Sequence, residues 1–191
     1  MGEIVQIKNA RLAFPQLWQP KSVNDGKPMF LSTFILEGDD HPSHKDVKAA
    51  MKKVAKEKWG SKWEKVLEGL EAKDRVCYRS GDDKDQYDGF EGNMYVSASN
   101  ETRPVVRDTN GKDELSQIDG KPYGGCYVYG TVDIWAQDNN YGKRINAKLR
   151  TVTFFRDGDA FSGSSPVTDD EFEDLSEGAD ADDEDELDDV A

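Results

Sequence analysis

Four aromatic side chains (Tyr127, Tyr129, Trp135 and Tyr141) and four cationic ones (Lys143, Arg144, Lys148 and Arg150) crowd into the last third of the ordinary-looking part of the chain. Ring faces of Tyr and Trp stack on planar groups, for about 1–3 kcal/mol per nucleic-acid base and with no preference among bases. Arg and Lys balance phosphate charge. Spacing decides which of these residues act together. Val128, Val132 and Ile134 share one parity, and Tyr127, Tyr129, Thr131, Asp133 and Trp135 share the other. Beyond Asn139-Asn140-Tyr141-Gly142 the alternation resumes, with Ile145, Ala147 and Leu149 against Arg144, Asn146, Lys148 and Arg150. Period-two patterning on both sides of an Asn/Gly break predicts a β-hairpin. A four-residue loop at 139–142 sets Asp133 opposite Lys148, Thr131 opposite Arg150 and Trp135 opposite Asn146. One face is then hydrocarbon and the other aromatic and cationic. An ordinary half-solvated sheet also favours Tyr and Trp, so the pattern alone leaves both readings open.

The elements around this hairpin are also mostly strands. Glu3 to Phe14 alternates and is expected to end at Pro15, and Met29 to Leu36 is rich in strand formers. Arg75–Arg79, Asn93–Asn100 and Thr102–Val106 are further short candidates. The period changes between 43 and 70. Ser43 with Asp46 suggests a capping box, Val47, Ala50, Met51, Val54 and Ala55 form a helical stripe, and Gly60 separates a second helix carrying Trp63, Val66, Leu67 and Leu70. Eight lysines between Ser43 and Lys65 against three acids read first as a solvated face, and second as a dock for a phosphate backbone or an acidic segment. Ser80–Gly92 is a long polar loop of a kind that often serves function. Its Phe90, with Tyr95 just beyond, joins the stacking candidates, although either ring serves equally well in a core. Trp18, Trp59 and Trp63 are expected to pack.

The formal net charge of −14 argues against a polyanion as partner until its distribution is examined. Residues 166–191 hold 14 Asp and Glu and no Lys or Arg, so the 39 acids less these 14 leave 25 against 25 bases in residues 1–165. A neutral body carries an acidic appendage. Ser162-Gly163-Ser164-Ser165-Pro166 has the composition of a linker, and the segment beyond it cannot bury enough apolar surface to offset its ordering entropy, so disorder is expected. The domain reading is a body over 1–161, with a helical insertion at about 43–70, followed by linker and tail over 162–191.

Enzymatic chemistry finds no foothold. Asp82–Gly89 resembles a calcium loop, but counting from Asp83 puts Tyr87 at position five and the glycine one place late. Asp133 is the one strand acid available to a two-metal nuclease, and it has Lys148 as a partner. His41 and His44 have no nucleophile nearby in sequence, and no phosphate-cradling Gly-rich loop occurs. Two cysteines do not make a disulfide framework or a zinc site. The expectation is a non-enzyme without cofactor or metal, free of signal peptide and membrane span, in a reducing cytoplasm.

A small β body with exposed rings, interleaved bases and a separate polyanion has the parts needed to hold single strands without sequence preference. The five-stranded OB barrel is the usual platform, and strands interrupted by a helical unit fit it. The sequence resembles the phage-encoded single-stranded DNA-binding family with an OB fold and an acidic C-terminal tail. The matching pieces are RLAFPQLWQPK (Arg11–Lys21), GKPMFLSTFIL (Gly26–Leu36), YDGFEGNMYVSASN (Tyr87–Asn100), RPVV (Arg103–Val106), YGGCYVYGTVDIWAQDN (Tyr123–Asn139) and TVTFFRDGDAF (Thr151–Phe161). The resemblance implies a protein that coats single-stranded DNA in phage replication or recombination, inside the bacterial host's cytoplasm. Double-stranded DNA as a weaker ligand, replication or recombination partners reached through the tail, and a homodimer are compatible with it. The chain ends Leu187-Asp188-Asp189-Val190-Ala191 rather than on the aromatic that closes other acidic-tailed single-strand binders. The competing expectation is an OB-fold protein–protein adaptor.

Overall fold

In the computed structural model, which describes residues 2–22 and 25–161, the period-two segments become strands that close on themselves. In chain order the elements are β1 (Glu3–Lys21), β2 (Met29–Leu36), α1 (Ser43–Trp59), α2 (Trp63–Ala72), β3 (Tyr78–Ser80), β4 (Met94–Asn100), β5 (Val105–Arg107), β6 (Tyr127–Asn139) and β7 (Gly142–Arg156). β1 pairs antiparallel with β2 on one side and β6 on the other, β2 continues to β4, and β6 to β7. A parallel contact between Ser99 of β4 and Lys148 of β7 closes the ring. The result is the expected five-stranded, OB-like barrel of β1, β2, β4, β6 and β7, with one helical unit between β2 and β4. β3 and β5 lie on its margins. The linker and acidic tail fall outside the described residues.

Alternation explains the interior. Val5, Ile7, Leu12, Phe34, Val96, Val128, Val132, Ile134, Leu149 and Val152 are all buried in one cluster, each contributing roughly 1.5–3 kcal/mol of transfer free energy. The helical stripe Val47, Ala50, Met51, Val54 and Ala55 joins the same cluster, so α1 caps the barrel. Its six lysines are exposed, with Lys53 bonded to Glu3 at 2.7 Å and Lys56 4.9 Å from the Trp63 ring centroid. Trp18, Trp59 and Trp63 pack against the core, as expected.

Three expectations need correction. β1 does not stop at Pro15: its register with β2 slips between Ala13 and Gln16, so the missing proline N–H falls where the ladder is already interrupted. No side chain caps α1 from the residue before it. Ser43 is fully buried, and its hydroxyl accepts the Lys8 N–H of β1 at 2.9 Å, so the residue ties the helix to the barrel rather than closing a capping box. Phe90 and Tyr95 are 1% and 3% exposed, in a second apolar cluster with Ala13, Ile35 and Phe161. This cluster lies where the 81–92 loop folds onto β1, β2 and β4, and burial there removes both rings from the list of open stacking faces.

Candidate nucleic-acid interface

The β6–β7 hairpin keeps the expected register at its outer end and loses it further in. Asp133 pairs with Lys148 and Trp135 with Asn146, and the ladder continues to Asn139 and Gly142, so the tip is the two residues Asn140 and Tyr141 rather than a four-residue loop. Gly142 makes that turn possible with φ at +101°, a conformation that opposes any Cβ. Thr131 pairs with Thr151, not Arg150, because a one-residue bulge separates it from the Val132–Leu149 pair. The hydroxyls of Thr131 and Thr151 meet at 2.7 Å across it.

Two arginine bonds hold the tip. Arg75 Nε donates to the Lys143 carbonyl at 2.9 Å and Arg75 Nη2 to the Tyr141 carbonyl at 3.2 Å, fastening the hairpin to the segment after α2. Tyr141 is 87% exposed, its ring in solvent. Lys143 reaches Asp138 only loosely, at 3.8 Å.

Behind the tip the outer face of the hairpin forms one wall of a 540 Å³ recess. Trp135, Gln137, Asn146 and Lys148 line that wall, facing Met29 and residues 99–102. Asn146 Nδ2 donates to Gln137 Oε1 at 2.9 Å, which stiffens the polar part. Glu101 is the acid on the opposite side, and Lys27 engages it at 2.8 Å. Lys148 is exposed and has no ion pair among the described residues; it shares a register position with Asp133, but no salt bridge joins them. Arg144 is half-buried and, among the described residues, makes a single long bond, 3.4 Å, to Asn146 Oδ1. Burial, and then the charges of Arg75 and Arg79, lower its pKa. Trp135 and Lys148 share this recess, whereas Tyr141 and Lys143, nearer the tip, line a separate one with Lys65, Val66 and Gly69 of α2.

Tyr127 and Tyr129 do not join them. They sit six or more residues from Trp135 along β6, about 20 Å at strand spacing. The Arg156 guanidinium covers the Tyr127 ring at 3.9 Å, and Tyr129 packs edge-on against Phe155 at 5.2 Å. Arg150 is exposed at the bulge, between the two patches. Other residues escaped sequence reading. Phe14 and Tyr87 are 47% and 45% exposed and pack edge to face at 5.0 Å over buried Phe90, in the bend where Phe14 adopts φ +48°. Only the resemblance blocks containing them pointed that way. Arg75 and Arg79 were read as strand residues, and nothing in their spacing announced a neighbour sixty-odd residues on.

A closed barrel of this strand order, with Trp135 and Lys148 on one outer recess, is the build of an OB-type nucleic-acid-binding protein. The chain belongs to the family of the Enterobacter phage Enc34 ssDNA-binding protein, whose model matches residues 3–187. It is 44% identical over 175 residues to protein p50 of Acyrthosiphon pisum secondary endosymbiont phage 1, covering 90% of this chain and 94% of that one. Among solved structures it is similar to the single-stranded DNA-binding protein of bacteriophage Enc34 in complex with ssDNA, with TM-score 0.69 and 27% identity over 82% of this chain and 88% of that chain. Gp2.5, a single-stranded DNA-binding protein of bacteriophage T7, shares the fold at TM-score 0.56 and 14% identity over 91% and 97% of the two chains.

Proposed function

We propose that this chain binds single-stranded DNA irrespective of sequence, coating and protecting it in phage DNA replication or recombination within the host cytoplasm. Trp135 and Tyr141 would stack on bases, and Lys143, Arg144 and Lys148 would follow the backbone. Tyr127, Tyr129 and Arg150 would serve a longer strand that continues along the hairpin. Residues 1–161 form the binding body in this reading. Residues 162–191 act as a tether and polyanion that competes with DNA and, once displaced, recruits replication or recombination proteins. Double strands, whose bases are already stacked on one another, would bind more weakly. The observation that carries the proposal is the recess in which Trp135 and unpaired Lys148 share one wall, in a member of a family whose Enc34 namesake is described with ssDNA.

The test is a fluorescence titration with oligo-dT at several salt concentrations, run beside a duplex of the same length. Quenching by the single strand should shrink in Trp135→Phe, which leaves Trp18, Trp59 and Trp63 to report any other change. Replacing Lys148 with Gln should flatten the slope of log K against log salt by about 0.7. Absence of binding at low salt would overturn the proposal and favour an adaptor that uses the same face for proteins.

A further inference from the structure

The barrel closes through a seam that is not fully zipped. β4 offers one edge to two different partners: residues 94–96 pair with β3, and Ser99 pairs with β7. Between these contacts the chain leading into β3 steps across to β7, where Val76 bridges Ile145 and the Ile145 N–H donates to the Arg75 carbonyl at 3.1 Å. Three backbones thus frame a hollow of 120 Å³, several times the roughly 10–15 Å³ that one water needs on the same measure. That is room for a tetrahedral anion. Arg79 and Arg144 flank it, with Ser97, Ser99 and Asn146 supplying further polar groups and no acid in its lining.

Both guanidinium groups are under-used. Arg79 Nε is buried without a hydrogen-bond partner among the described residues, and the group rests 5.4 Å from the centroid of the Tyr95 ring. Arg144 makes its one long bond to Asn146. Neither forms an ion pair among the described residues, although Asp74 and Asp83 are near enough to act on Tyr95. Arg75, the third cation nearby, spends its donors on the hairpin carbonyls. Like charges held together at partial burial, with an open donor and no ion-paired acid among the described residues, leave the folded protein less stable than it would be with an anion between them. Bidentate arginine geometry suits a phosphate in that place.

We propose that the seam hollow is a discrete site for one backbone phosphate, gripped by Arg79 and Arg144. It is contiguous with the Trp135 recess, since Ser99, Asn146 and Ala147 line both. A base stacked on Trp135 therefore has a fixed anchor for a neighbouring phosphate. The assignment of that phosphate to DNA rests on the function proposed above. The anion site itself does not.

The full-length protein and its Arg79→Gln, Arg144→Gln and Arg144→Lys variants separate the two. Thermal melting is followed with inorganic phosphate and with chloride at equal ionic strength, and oligo-dT affinity is followed against salt. Phosphate should raise the wild-type melting temperature beyond chloride and do so less in both Gln variants. Without phosphate, Arg144→Gln should melt no lower than wild type, because the crowding of charge is relieved. Each Gln variant should flatten the oligo-dT salt slope by about 0.7. Arg144→Lys should keep the slope and lose several-fold in affinity, for want of the fork. A lower melting temperature with unchanged phosphate response would mark these arginines as structural and overturn the site. If oligo-dT binds wild type while the Gln variants keep its slope, the hollow fails and the general proposal survives. If phosphate binds through both arginines and oligo-dT does not bind, the anion site stands and the DNA assignment falls.

Discussion

Cys77 lies in the seam's lining and Cys126 in the main core, and burial pushes their thiols up to about 12 and about 11. A thiol whose pKa is raised on folding stabilises the protein fully below its unfolded value, near 9, and that contribution drains away as pH rises toward the folded one. Stability should accordingly fall above about pH 9, each thiol adding a slope on the order of 1 kcal/mol per pH unit. Urea midpoints at pH 7, 9 and 10 test this, since Cys77→Ala should show a shallower alkaline loss than wild type. An identical loss in both would refute the assignment. The native protein should also resist iodoacetamide at pH 8 and become alkylated when unfolded. The reactive surface then consists of rings and cations, and these divide by environment rather than by type. Trp135 faces a recess while Tyr95, an equally good stacking residue by chemistry, is enclosed by Ile35, Phe90 and Ala13.

At the scale of elements, the barrel is narrow enough that one glycine decides whether it fills. A Cβ on Gly130 of β6 would lie 2.7 Å from the Phe34 ring and 3.0 Å from the Thr151 carbonyl oxygen. Gly130→Ala should cost about 1–3 kcal/mol through overpacking, read as a lower denaturant midpoint; a shift below a few tenths would show that Phe34 yields freely. This glycine was readable only as a gap in the Val128–Val132 alternation. Strand parity, the hairpin and the helical stripe were legible because each is a local period imposed by a single buried face. The bulge was legible in hindsight, as the inward parity passes from Leu149 to Val152 and Phe154. Elements created by contacts between distant segments were not legible. The second apolar cluster needs the 81–92 loop to fold back on Ile35, and the paired arginines of the seam need β3 beside β7. No window of sequence contains either meeting. The candidate stacking and phosphate residues are accordingly split in space by a barrel whose curvature the pattern does not encode.

For the molecule as a whole the question is how a chain of net charge −14 would hold a polyanion. Segregation answers it, because a formally neutral body leaves Lys148, Arg144 and Arg79 free to set a local positive potential within a Debye length, about 8 Å at physiological salt. The same potential would attract the 14 carboxylates of residues 166–191, which the chain itself tethers to the body. Tail and strand would then compete for one surface, and the seam hollow, with its two under-used guanidinium groups, would be the strongest point of that competition. Deleting 166–191 should tighten oligo-dT binding most at low salt, where tethered carboxylates are least screened, and the advantage should shrink as salt rises. The same deletion in an Arg79→Gln, Arg144→Gln background should gain less, because the tail has lost its preferred seat. Equal affinity with and without the tail at every salt concentration would reduce the segment to a solubility device and end the competition model.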